Sequence, residues 1–411
     1  MNSPSRSAAW MSTEMQLVCL CCRPVFTDAD RQAIVELLGR VDLAAFARLA
    51  IDRHRVGPLV HAALQDLAPH VLPSECRALF AASARDNALQ TLRAQRAHIK
   101  LATWFSEAGV DWMPFKGLVV AQRHYPRAEL RHVNDIDVWV PTQQLERARQ
   151  VLLSRGFRSL TGEPYDSLVR RGPRHRDFLA FYFHEEQYTH TELGTVELHW
   201  KLNSNPGLFT IPPETMRARG ADVSFGAQTV RVMGDADLLL YLCEHGGRHG
   251  WGRLKWLVDL PRLLDSREWD WPQLFETARR AECLKTLALG LVLSRDLLGW
   301  QLPDPVQQEL GRLHGLQLSE STVQYYLNAP VSPNAPSWRE HATFVFMQTA
   351  KTALLTTSAL PLVHHLRRYA LSPGDLHVLR LPDRCFWMYY VARPFLFLIR
   401  RVRTSLGQAV G

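Results

Sequence analysis

The 411-residue chain is poor in several things, and each shortage narrows its chemistry. Lysine is scarce, and Arg supplies most of the 48 basic residues. No long Lys/Arg run stands out, so the basic balance rests on dispersed charge. Cys19 and Cys22 stand three apart, but no second Cys-x-x-Cys pair accompanies them. Cys19, Cys21 and Cys22 cluster without a matching pair nearby, which argues against a zinc site or a disulfide framework. The seven cysteines therefore read as reduced, partly buried thiols. No stretch reaches the ~18 uncharged apolar residues of a membrane span. The nearest approach, Cys385 to Ile399, is interrupted by Arg393 and Pro394. With Arg400, Arg401 and Arg403 beside it, that segment reads first as a buried terminal helix and second as a membrane-surface helix. The start of the chain shows no basic segment followed by an apolar run, so no secretory leader is expected and a cytoplasmic location is. There is no internal repeat, low-complexity block, helix-turn-helix, zinc finger or aromatic RNA-binding motif.

What is present is ordinary globular composition, with 46% hydrophobic and 21% charged residues. The length exceeds what one compact core usually holds, so more than one domain is the default. A formal net charge of +8 and a pI near 9.3 favour anionic partners: nucleotides, nucleic acid or acidic lipid headgroups.

Along the chain, residues 1–14 read as a disordered start and 15–108 as helical. A long helix is predicted over Glu75–Glu107, stopped at Gly109. Residues 109–234 are richer in strands. Val110–Phe115 reads as a strand, Lys116-Gly117 as a turn, and Leu118–His124 as a short helix. Asp135–Val140 is a strand, followed by a helix capped by Thr142 and ended by Gly156. Phe178–Tyr188 and Val196–Leu202 read as strands, with a hairpin turn at Glu192–Thr195. Helices return over 235–411, among them Pro272–Leu298 and Trp338–Arg368. The fold class is α+β, a mixed α/β core embedded between N-terminal and C-terminal helical regions that can pack together around it.

The chemistry concentrates in Asn134-Asp135-Ile136-Asp137-Val138-Trp139-Val140. Residues two apart share a strand face, so Asp135 and Asp137 point the same way and Ile136, Val138 and Val140 the other. Neighbouring carboxylates repel unless a cation neutralises them, and hard divalent ions prefer oxygen ligands. A lone Asp-x-Asp is commonly a pair of solvated acids. Here the apolar flanks place it on a central strand, where unbalanced acids are costly. The Gly-bearing turn and short helix before it suit a phosphate. Glu197, in Thr195-Val196-Glu197-Leu198-His199-Trp200, shares a face with His199 and would complete a carboxylate trio from a neighbouring strand.

Together, Lys116-Gly117, Tyr125-Pro126, Arg131 and Asp135-Ile136-Asp137 resemble the bacterial uncharacterised nucleotidyltransferase family. So do Glu197-Leu198-His199-Trp200, His249-Gly250-Trp251, Trp256-Leu257-Val258-Asp259 and Arg393-Pro394, so that the likeness runs from about residue 15 to 400. The resemblance implies a nucleotidyltransferase-like mixed β-sheet and transfer of a nucleoside monophosphate from an NTP such as ATP to an acceptor. Its implied catalytic and metal-binding residues are Asp135, Asp137 and Glu197, holding Mg²⁺ or Mn²⁺ in a two-metal arrangement. Lys116, Gly117 and Arg131 would bind the nucleotide. Lys116-Gly117 stands where the wider superfamily has Gly-Ser or Gly-Gly, and Lys116 would act there as a point charge. His199, His249 and Asp259 are the candidate acceptor-pocket residues. Trp139 shares the face of the two aspartates and is a candidate to stack on a base or sugar. Relatives in surface-polysaccharide and peptide natural-product settings suggest a sugar, small-metabolite or peptide acceptor. Two other readings stand beside this one: a non-catalytic binding or regulatory protein of the same fold, and an RNA-directed nucleotidyltransferase. The C-terminal segment adds peripheral membrane contact as a candidate partner.

Overall fold

A computed structural model describes residues 10–408, apart from 68–70, 161–167, 169, 206, 314–320, 322, 325–326, 329–345, 347–348, 351 and 357. Five strands form one mixed sheet: β1 Met113–Pro114, β2 Asp135–Trp139, β3 Arg158–Ser159, β4 Glu185–His190 and β5 Gly194–His199. Their order is β1-β2-β5-β4-β3. Only β2 and β5 run parallel; every other pair is antiparallel. β6 (Ala221–Phe225) and β7 (Gln228–Val232) form a separate hairpin. The fold is therefore α+β with a mixed sheet, as the sequence order implied.

The helices labelled here are α1 Thr13–Cys21, α2 Asp28–Leu38, α3 Leu43–Arg48, α4 Gly57–Leu67, α5 Ser74–Glu107, α6 Leu118–His124 and α7 Leu145–Ser154. The two faces of β2 serve different cores. Ile136 and Val138 pack with Ala97, Leu101 and Phe105 of α5 and with Val196 and Leu198 of β5. Trp139, with Met113 and Phe115, joins the larger helical core instead. That core unites Leu17, Phe46 and Val60 from the N-terminal helices with Leu239, Leu260 and Leu291 from the helices after residue 234. A third, smaller core gathers Leu179, Leu376, Tyr389 and Leu396.

Several local expectations need correction. Phe178–Tyr188 is not one strand: Gly172-Pro173 starts a helix over Pro173–Tyr182, and β4 begins only at Glu185. The aromatic run suggests strand, but Phe178 and Leu179 are buried on a helix against the third core, and Pro at the first helical position favours that start. The Val110–Phe115 strand shrinks to Met113–Pro114, since Pro114 has no N–H to extend an edge ladder. Thr142 makes no side-chain cap; a 3-10 turn over Thr142–Gln144 leads into α7. The irregular start ends earlier than residue 14, because Ser12 caps α1 at Thr13, and residues 1–9 lie outside the described residues. Most of the helix expected over Trp338–Arg368 also lies outside them, while Leu360–Ala370 is helical. All seven cysteines are free, six of them buried.

The C-terminal helix spans Met388–Gln408, and its described side chains are covered on one side only. Tyr389 and Leu396 face inward, and Arg393 and Arg400 reach the buried Asp375 at 3.2 and 3.1 Å. The opposite stripe, Val391, Phe395, Leu398 and Val402, is exposed. No described helix is long and apolar enough to cross a membrane.

One joint ties the early helices to the late ones. His54, fully buried, accepts the Leu254 N–H at Nδ1 (3.2 Å), and its carbonyl accepts the Lys255 N–H (3.1 Å). Burial, with Arg53 and Arg253 nearby, pushes the His54 pKa down to about 3. The unfolded chain therefore binds this proton more readily than the fold does. The stabilisation is complete above the ordinary histidine range and is lost as pH falls towards about 3. His54→Gln should show a smaller drop in melting temperature between pH 7 and pH 5 than wild type, measured by circular dichroism; an identical drop would remove His54 as the source.

Candidate active site

Parallel pairing of β2 with β5 sets Asp137 directly opposite Glu197, and Asp135 opposite Thr195. On the other side of β5, antiparallel pairing sets Glu197 opposite Gln187 and His199 opposite Glu185. One sheet face thus carries Asp135, Asp137, Glu197, His199, Glu185 and Gln187 side by side. All but Gln187 line a cleft of about 280 Å³. Lys116 and Gly117 form part of its wall, and Arg55, Arg248, Arg253 and Lys255 add a basic lining.

Asp137 is 3% exposed. Burial by itself would raise its pKa, but Lys116 and His199 outweigh burial and hold the carboxyl well below the usual range. Lys116 Nζ lies 2.5 Å from Asp137 Oδ1. Asp137 first, with Tyr241 and Glu197, keeps Lys116 charged against the cost of burial. Glu197 behaves oppositely. Burial, then the charges of Asp137 and Glu185, push it up to about 7 despite His199. Gln187 Nε2 donates to Glu197 Oε1 at 2.9 Å and fixes its rotamer.

His199 sits at the centre of this group. Its Nε2 lies 3.3 Å from Asp137 Oδ1, 3.4 Å from Glu185 Oε2 and 3.7 Å from Glu197 Oε2. Burial disfavours its charge, yet these carboxylates raise its pKa to about 9. Neither ring nitrogen makes a hydrogen bond of good geometry. The donors of Asp137, Glu197 and His199 lie within 4.8 Å of one another, as do those of His184, Glu185 and His199. A buried imidazole nitrogen without a hydrogen bond, amid carboxylate oxygens, fits a divalent cation. Asp135 lines the same cleft but belongs to neither group, so its carboxylate stands apart from the closest ligand set.

Arg131 and Asp259, read separately from sequence, bind each other. Arg131 Nε and Nη2 donate to the two Asp259 oxygens at 2.8 Å each. Tyr125 Oη donates to Asp259 Oδ1 at 2.7 Å, and Arg131 Nη1 donates to the Gly117 carbonyl at 3.0 Å. Burial opposes the Arg131 charge, but Asp259 holds its pKa above the ordinary value. Removing one partner from such a buried pair costs roughly 3–5 kcal/mol. The pair therefore anchors the Lys116-Gly117 turn. Gly117 itself has φ of +58°, and a Cβ there would meet the Asp135 carbonyl at 3.3 Å.

His249 belongs to neither of the two groups of metal-ligating side chains. Its ring stacks on Trp256 at 4.9 Å, both in the cleft wall. Trp139 is fully buried in the helical core and is not part of that wall, so it has no free face for a base or sugar. Lys255 has its pKa pushed down to about 8, first by burial, with Asp135 opposing and Arg131, Arg55 and Arg253 assisting.

Sequence reasoning placed Glu185 and Gln187 in a strand but gave them no role. Counting back in twos across the hairpin from Glu197 would have put both on the acid face. Nothing in the sequence marked Asn87, on α5. Its Nδ2 donates to the carbonyls of Glu129 and Arg131 at 2.7 and 2.9 Å, and its Oδ1 accepts the Val133 N–H at 3.1 Å. It holds the loop that delivers β2. Asn87→Ala leaves these groups unsatisfied and should destabilise the protein by roughly 1–3 kcal/mol, read by urea denaturation. A change within error would show that water replaces the amide.

Searches of curated proteins and of solved structures gave no significant match. The sequence model of a family described as an uncharacterised nucleotidyltransferase matches residues 39–299. The match is shorter than the motifs suggested, since Arg393-Pro394 falls outside it, but it takes in every residue of the cleft described above. The chain belongs to this nucleotidyltransferase family.

Proposed function

We propose that this protein is a metal-dependent nucleotidyltransferase that moves a nucleoside monophosphate from an NTP onto a sugar, small-metabolite or peptide acceptor. The observation carrying this reading is the buried Asp137 set opposite the half-buried Glu197, beside Asp135, in a cleft lined with Arg and Lys. Family membership supports nucleotidyl transfer as the general chemistry and an NTP as substrate.

In this reading Asp137, Glu197 and Asp135 hold Mg²⁺ or Mn²⁺, which when bound supplies Lewis acidity and neutralises triphosphate charge. The chain's own residues do the rest. Arg55, Arg253 and Lys255 offer positive charge to the phosphates. Lys116 offsets Asp137 and, once that charge is otherwise met, is free to hold a terminal phosphate. An acceptor oxygen forms its bond to the α-phosphorus as the bond to the bridging oxygen of pyrophosphate breaks. A carboxylate oxygen of Glu197 not taken by the metal accepts the acceptor's proton. Arg131, Asp259 and Tyr125 position the turn, a revision of the nucleotide and acceptor roles first assigned to the first two. His199 moves from the acceptor pocket to the metal side, while His249 and Trp256 form the wall offered to the acceptor.

Melting temperatures with Mg²⁺ or Mn²⁺ and each NTP should rise for wild type by mass action. Asp137→Asn should lose the metal-dependent part of that rise and at least about 100-fold of nucleotide turnover. Normal turnover in this variant would reject the site. Nucleotide binding without turnover in wild type would favour the regulatory reading, and strong salt-dependent RNA affinity the RNA-directed one.

We also propose that the outward stripe of the C-terminal helix meets an anionic membrane surface. Val391, Phe395, Leu398 and Val402 recur at helical spacing, and Phe395 is 70% exposed. Exposed Arg380 and Arg384 precede the helix in a chain of net charge +8. The protein should float with phosphatidylserine-containing liposomes, and Val391→Glu/Phe395→Glu should not; equal flotation of both would exclude this face.

A further inference from the structure

The ligand set in the cleft is not all oxygen. Asp-x-Asp and a third acid would give a hard, carboxylate-only site, the kind Mg²⁺ prefers. Here the closest groups each include His199. Asp135, which an all-carboxylate set would need, belongs to neither.

Around His199 Nε2, Asp137 and Glu185 stand at the spacing of ligands about a shared ion, and Glu197 within a few tenths of an ångström of it. Two donors about 2.1 Å from one ion stand roughly 3.0–3.4 Å apart at octahedral or tetrahedral angles. Nε2 lies 3.3 Å from Asp137 Oδ1, 3.4 Å from Glu185 Oε2 and 3.7 Å from Glu197 Oε2. The imidazole is 1% exposed and has no well-formed hydrogen bond at either nitrogen. Its plane is held by the edge-on ring of Phe115 at 5.0 Å and by His184 at 5.7 Å, so it cannot swing away to find another partner. Lys116 Nζ now occupies one side of Asp137 Oδ1, and its flexible stem lets it yield that oxygen.

We propose that His199 is a direct metal ligand, together with Asp137 and Glu197, and that the site selects a first-row transition ion such as Mn²⁺ over Mg²⁺. This rests on the metal-dependent reading above and specifies its ion. Imidazole is a borderline donor that binds transition ions well, whereas Mg²⁺ favours oxygen ligands and retains water. Glu185 Oε2, 3.4 Å from the same nitrogen, is a further carboxylate placed to reach that ion.

The test is pulsed electron paramagnetic resonance on the full chain loaded with Mn²⁺ alone. Wild type should show ¹⁴N modulation from one coordinated imidazole, converted to the ¹⁵N pattern when the protein carries ¹⁵N-histidine. A tenfold excess of Mg²⁺ should leave most Mn²⁺ bound. His199→Gln should bind Mn²⁺ at least about tenfold more weakly and lose the nitrogen signal. Bound Mn²⁺ without nitrogen modulation in wild type overturns His199 ligation but leaves the nucleotidyltransferase reading standing, and it needs no variant to fold. Ready displacement by Mg²⁺ overturns the selectivity. No Mn²⁺ binding at millimolar concentration overturns both this inference and metal dependence itself.

Discussion

Burying Asp137 against Glu197 is the constraint from which the rest of the site follows. Two carboxylates on adjacent strands of one sheet face repel, and burial of Asp137 enlarges that repulsion. The protein answers with an ammonium on one side, an imidazole between the acids, and an amide on the far oxygen of Glu197. The outcome is asymmetric. Asp137 stays ionised while Glu197 rises to about 7, so two neighbouring acids acquire different capacities.

This arrangement tolerates little movement, and the scaffold reflects it. The loop between α6 and β2 is pinned from two directions. Asn87 grips its backbone from α5, and the Arg131–Asp259–Tyr125 cluster ties it to the first helices after the sheet region. Arg131 also reaches the Gly117 carbonyl, which locks the turn that presents Lys116. The helices on either side of the α/β unit share one core, and His54 bridges them by accepting two backbone N–H groups, one at its ring Nδ1 and one at its carbonyl. The site is therefore assembled from segments more than 100 residues apart, held by buried polar contacts as well as apolar packing.

The C-terminal helix obeys the same logic with a different result. Its inner stripe is fixed by Asp375, which draws in Arg393 and Arg400, so its apolar outer stripe has nowhere to turn but outward. In the proposed reading, that outward apolar face and the basic residues before it are what meet an anionic surface.

The sequence alone determined the parts whose logic is local. Period-two alternation put Asp135 and Asp137 on one face and Ile136 and Val138 on the other, and Gly109 and Gly156 marked helix ends, because such signals depend only on neighbouring residues. Its motifs also pointed to the family. Where local preference and packing disagreed, packing prevailed: aromatic Phe178–Tyr182 became helix to fill the third core. Only the tertiary structure decided which acids meet. Strand register joined Asp137 to Glu197 and left Asp135 apart, moved His199 among the carboxylates, and brought in Glu185, Gln187 and Asn87 from elements whose sequence carries no functional mark. The pairing of Arg131 with Asp259 across 128 residues lay equally beyond the sequence, because a salt bridge between distant segments leaves no periodicity to read.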